Sequence, residues 1–150
     1  MVDVAIVGDT DEVDVLGREW MTTALTAPAA AERIRAGAAV GRAIMERTGA
    51  LFAVAQQAAA VEPLIAEEWQ QGREQSRYAQ RVMWTRMAED GLLPDGCVLE
   101  QLIDTASVIC AAETYLLITR MLGWDLDTYE TWLRDTLTRV AHLAPDTASA

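Results

Sequence analysis

The amino-acid sequence predicts an all-α fold, an antiparallel bundle of about five to six helices. Three observations predict it. Alanine is abundant and proline is confined to 4 of the 150 positions, and alanine gives up no side-chain entropy in a helix. Apolar residues recur at helical spacing through successive segments between Ala29 and Leu143. Pro28, Pro63 and Pro94, with Gly91, Gly96 and Gly123, fall at the edges of those segments. A chain of this size buries roughly 70% of its unfolded surface, enough for one domain without disulfides or metals.

Composition excludes several functions. A net charge of -11 would repel a polyanion, so nucleic acid is not expected as a direct partner of these residues. Cys97 and Cys110 form no CxxC pair, so neither a zinc site nor a redox motif is expected, and reduced thiols suit a cytoplasmic protein. The most apolar windows, Ala50 to Val61 and Ala106 to Thr119, fall short of the ~18 residues of a membrane span, and no membrane partner is expected. The start, "MVDVAIVGDTDEVDV", is acidic where a secretory leader is basic.

Residues 1–17 read as an acidic linker. Asp9, Asp11, Glu12 and Asp14 lack the glycine and terminal glutamate of a calcium loop, so no metal is expected. The bundle itself is expected over 18–143, opening with a short helix from Arg18 to Thr26. From Ala29, "AAAERIRAGAAVGRAIMERTG" puts Ile34, Ala38, Gly41 and Met45 on one stripe, and the Gly37–Gly41 spacing suits a tight crossing. Gly49 is expected to break or kink this helix before an apolar helix that stops near Pro63. Pro63 then opens a helix of about 27 residues, roughly 40 Å long, with Ile65, Trp69, Gly72, Ser76, Ala79, Met83 and Met87 facing inward. Arg73, Arg77 and Arg81 recur along it as a basic row, read as a solvated face paired with nearby carboxylates.

"LLPDG", Leu92 to Gly96, is a turn. The stretch "VLEQLIDTASVICAAETYLLITRML" is apolar on two faces, so the expected helix covers its own core with one and a partner chain with the other. "LGWDLDTYETWLRDTL", Leu122 to Leu137, poses a choice between an aromatic-acidic binding site and a helix start. Asp125 as a cap, with Asp127 and Glu130 near the positive end of the helix dipole, favours the helix start and a dimer anchor at Trp132. Residues 144–150 read as a flexible tail.

Several of these segments, "ERTGALFAVAQQAA", "EEWQQGREQSRYAQRVMWTRMAEDGLL" and above all "DTASVICAAETYLLITRMLGWDLDTYETWLRDTL", resemble the C-terminal part of TetR-family transcriptional regulators. Such regulators often carry D-x-x-W-x-x-x-x-P-E-x-Y followed by G-W-S-x-x-x-Y-E-x-W-L-x-x-x-L. The matching positions are Asp104, Glu113, Tyr115, Gly123, Trp124, Tyr129, Glu130, Trp132, Leu133 and Leu137. Ser107 or Val108 stands where tryptophan is common, Ala112 replaces the proline, and Val98 lies where a serine cap is usual. The family's helix-turn-helix is not recognisable in residues 1–30, so DNA contact would require an N-terminal domain outside this sequence.

The resemblance implies an effector-sensing and dimerisation domain, with the last two helices of two copies forming a four-helix bundle. On this reading Leu102, Ile109, Leu116, Trp132, Leu133, Leu137 and Val140 make the homodimer interface. A small, largely apolar effector would meet Phe52, Gln56, Trp84, Met87 and Ile109, with Trp20, Met45 and Glu113 as further candidates. Glu113 stands out because an acid inside an apolar helix needs a partner or a cavity. No cofactor is expected, and catalysis is disfavoured because His142 is the only histidine and no nucleophile–base motif accompanies it. The alternatives are a headless partner that sequesters a full-length regulator, or a small helical enzyme.

Overall fold

The computed structural model describes residues 15–143; the acidic cluster from Asp9 to Asp14 and the tail 144–150 lie outside the described residues. Every regular element described is helical. Two 3-10 turns, Val15–Gly17 and Glu19–Met21, lead into α1 (Thr22–Thr26). Then follow α2 (Ala30–Ala58), α3 (Pro63–Glu89), α4 (Leu99–Ile109), α5 (Ala112–Leu116), a π-helical turn (Leu117–Met121) and α6 (Leu126–Val140).

Helix α2 is the hub, packing against α1, α3, α5 and α6, while α4 lies against α3 and α6. Its glycines make this possible. A Cβ on Gly37 would come within 2.8 Å of the Met83 methyl on α3, and one on Gly41 would meet Leu133 of α6 at 3.4 Å. The Gly37–Gly41 spacing therefore serves two close crossings, as the sequence predicts. Gly49 does not break the helix: α2 runs unbroken from Ala30 to Ala58, and Gly49 is buried inside it. A Cβ there would stand 2.6 Å from a Tyr115 ring carbon, so this glycine provides room for an aromatic side chain from α5.

The main core collects Ile34, Ala38, Trp84, Met87, Leu102, Ile103, Tyr129 and Leu133 among others. A smaller cluster of Met21, Ala24 and Leu25 fastens α1 onto Ala36 and Val40 of α2 and Val82 and Met83 of α3. Beside it, buried Arg33 donates from Nε to the Ala27 carbonyl (2.6 Å) and from Nη2 to Asp90 Oδ2 (2.5 Å), tying the α1–α2 corner to the end of α3.

The helix ends follow local chemistry. Pro63 opens α3, and Gly91, at φ +69°, closes it in a left-handed cap where the Leu92 N–H reaches back to the Met87 carbonyl. Asp125 caps α6 by accepting from the Thr128 N–H at 2.8 Å. This bond holds the Asp125 carboxyl below its ordinary range. Val98 gives α4 no side-chain cap. His142 ends α6 at φ 56°, the same left-handed cap in a non-glycine residue, with its side chain exposed.

Two further expectations are corrected. The two-faced segment after Val98 is not one helix: it breaks at Cys110–Ala111, and the halves on either side diverge by 42°. The bend lets α4 follow α3 while Tyr115 and Leu116 turn toward α2. The inward stripe of α3 is buried only toward its C-terminus, where Met87 and the neighbouring Trp84 are each 1% exposed, while Gly72 is exposed and Ile65 and Trp69 are half-buried.

Candidate functional site

The break at Cys110–Ala111 shapes the surface. Helix α5 has five residues, and the π-helical turn that follows widens the spiral. Tyr115, Leu116 and Ile118 point into the core, whereas Leu117 and Met121 are 53% and 69% exposed. The segment thus separates two open grooves.

The first groove, about 400 Å³, is lined by Gln56 of α2, Glu113 and Leu116 of α5, and Leu117, Arg120 and Met121 of the π turn. Its rim is built outward from Glu113. Arg73 of α3 donates to Glu113 Oε1 from Nη2 (2.5 Å) and from Nε (2.8 Å). The Arg73 guanidinium also lies over the Trp69 ring at 5.8 Å, and that ring meets Phe52 of α2 edge-on at 5.8 Å. Phe52, Trp69, Arg73 and Glu113 therefore form a chain of contacts joining α2, α3 and α5. The acid in the apolar run has the partner its position demands.

Arg73 belongs to a ladder. Arg77 donates to Asp104 Oδ1 from Nη2 at 2.5 Å, and Arg81 binds both oxygens of Glu100 at 2.6 and 2.8 Å. The basic row is thus a solvated face clasped to the carboxylates of α4 and α5, as its reading from sequence expects. The hydrogen bond from Arg81 holds the Glu100 carboxyl below its ordinary value, and Glu100 in turn raises the Arg81 guanidinium.

The second groove, about 520 Å³, lies on the other side of α5, lined by Arg42, Glu46, Tyr115, Thr119, Trp124, Asp125, Leu126 and Asp127. Arg42 of α2 spans its floor to α6, with Nη1 2.6 Å from Asp127 and 2.9 Å from Glu130. Glu130 first, then Asp127, raises the guanidinium above its ordinary value against partial desolvation. Behind it, Tyr129 stacks beside Trp132 at 6.2 Å and meets Tyr115 edge-on at 5.0 Å, while Trp124 meets Trp132 at 6.5 Å. Burial raises the Tyr129 hydroxyl pKa and pushes the Cys110 thiol up to about 12, which favours the neutral thiol. The stretch from Leu122 is a capped helix start, and it also forms the wall of the larger groove.

The expected effector residues are not gathered in one internal pocket. Gln56 and Glu113 share the first groove, and Phe52 supports its rim. Trp84 and Met87 are sealed in the core, where the Trp84 indole N–H donates to Gln80 of its own helix at 3.1 Å. Met45 and Ile109 pack half-buried at the edge of that core, and Trp20, 37% exposed, lies in the N-terminal turns. Sequence reasoning missed Leu117, Arg120 and Met121 as groove residues. Leu117 and Met121 sit in apolar text that reads as core, and Arg120 as an ordinary surface charge, until the π turn brings them to one groove.

The residues expected at a dimer seam fall into two groups in the monomer. Leu102 of α4, Leu116 of α5, and Leu133 and Leu137 of α6 are taken up by the chain's own core, where α6 packs on α2 and α4. Ile109, Trp132 and Val140 are half-buried and keep accessible surface. Among the described residues no cluster of three or more metal-ligating side chains exists, and no single helix is long and apolar enough to cross a membrane. Comparison with protein families, curated proteins and solved structures finds no match to this chain.

Proposed function

We propose that this chain is the effector-sensing and homodimerisation domain of a TetR-type transcriptional regulator, acting as a repressor. The observation that carries the reading is the groove on which Gln56 and Glu113, distant in sequence, meet beside Leu116, Leu117 and Met121. A groove of this volume suits a small ligand whose apolar body lies on the leucine and methionine side chains while a few polar groups fix its orientation. Its walls come from α2, α5 and the π turn, and Arg73 brings α3 to the rim. A bound molecule therefore touches three separate parts of the bundle, and a preference for one arrangement of them shifts the population. In a regulator of this type the shift reaches DNA through a helix-turn-helix domain, and the acidic surface described here is not itself a DNA surface.

Dimerisation in this reading uses Ile109, Trp132 and Val140, which keep surface outside the monomer core. Light scattering at micromolar concentration is expected to give twice the chain mass, and Trp132→Ala to shift it toward one. A wild-type chain that stays monomeric overturns the dimer assignment.

A further inference from the structure

The groove at the π turn also indicates the chemical class of what fills it, an inference that rests on reading it as the effector site. The chain carries a net charge of -11, so most of its surface disfavours anions. This groove is locally different. The negative charge of Glu113 is answered by Arg73 on the rim. Arg120 lines the groove with no hydrogen-bond or ion-pair partner among the described residues, and its guanidinium is left as a free fork of donors. Gln56, whose side-chain amide carries N–H donors, lines the same space. Beside them Leu117 and Met121, one helical turn apart, hold 53% and 69% of their surface open and give the groove an apolar side.

We propose that this groove binds an anionic amphiphile: a carboxylate whose oxygens pair with the Arg120 guanidinium and the Gln56 amide, and whose aliphatic tail covers Leu117 and Met121. Charge complementarity selects the head. A cationic head would meet the unpartnered Arg120 guanidinium while Glu113, the groove's one carboxylate, is already engaged by Arg73, and a neutral head would leave the Arg120 fork without its bidentate partner. The adaptable thioether of Met121 suits a flexible tail.

The test titrates the full chain with decanoate, decyltrimethylammonium and 1-decanol, three probes with one tail and three head groups, below their aggregation limits. Calorimetry gives affinity, and the methyl resonances of Leu117 and Met121 report where each probe lies. Decanoate is expected to bind tightest and to move those methyls. Arg120→Gln is expected to weaken decanoate about tenfold or more, Arg120→Lys to restore part of the loss, and neither to change 1-decanol binding. The head-group series on the wild-type chain stands even if a variant misfolds. Equal or tighter binding of decyltrimethylammonium, or unchanged decanoate affinity in Arg120→Gln, overturns the anionic class while leaving the groove as the effector site. Failure of all three probes to move the groove methyls overturns both.

Discussion

The two halves of α3 are held by different forces. Toward its C-terminus Trp84 and Met87 are each 1% exposed, packed in the main core, and Asp90 beyond the last turn receives the buried Arg33. Toward its N-terminus Leu64 is 76% exposed, and the contacts there are the Phe52–Trp69 edge and the Arg73–Glu113 pair, from which the ladder runs through Arg77–Asp104 and Arg81–Glu100 toward the core. Burial is strong and insensitive to salt, while exposed ion pairs are individually weak and screened. One continuous helix is therefore firmly anchored where it joins the core and lightly clasped near the groove rim at Arg73, so the two ends differ in local stability.

The largest effect should come from breaking the anchored half. Trp84→Ala removes a fully buried indole and is expected to cost about 3–5 kcal/mol, read as a lower urea midpoint for the whole domain. A loss below about 1 kcal/mol would mean that the core does not anchor α3.

Breaking a rung of the clasped half should do much less. Arg77→Ala is expected to cost at most about 1 kcal/mol, and the difference from wild type should shrink in ~1 M NaCl. Hydrogen exchange should separate the halves further, with amides of residues 64–78 gaining exchange in salt and those of residues 82–88 unchanged. Uniform protection along α3 would remove the contrast.

The smallest effect is the pH response of the Arg81–Glu100 rung. The folded Glu100 carboxyl lies below its ordinary value of 4.5, so its contribution is fully present above that value and is lost as pH falls through the folded value. Glu100→Gln should therefore lower the urea midpoint at neutral pH, with the difference from wild type closing as the pH drops below 4.5. A difference that persists into acid would show that Glu100 acts through packing.

Much of this architecture is legible in the text because it rests on local rules. Pro63 and Gly91 bracket α3, Asp125 caps α6, and the spacing of Gly37 and Gly41 announces close crossings. The arginine row and the lone acid Glu113 are each readable too, and each implies a partner. Gly49 misleads because a helical glycine that admits a neighbouring ring and one that breaks a helix look the same in sequence; the difference is Tyr115, far along the chain.

What the sequence determined by itself is an all-helical chain, its main boundaries and its charge, since periodicity, capping and composition act over a few residues at a time. Only the tertiary structure decided that the apolar run breaks at Cys110–Ala111, that the π turn exposes Leu117 and Met121, and that Arg73 meets Glu113. It also placed Leu133 and Leu137 in the chain's own core, leaving Trp132 at its edge. The physical reason is common to all of these. An apolar side chain carries no mark of which surface it will cover, and a charge carries no mark of which opposite charge it will meet, until helices distant in sequence pack and compete for the same space.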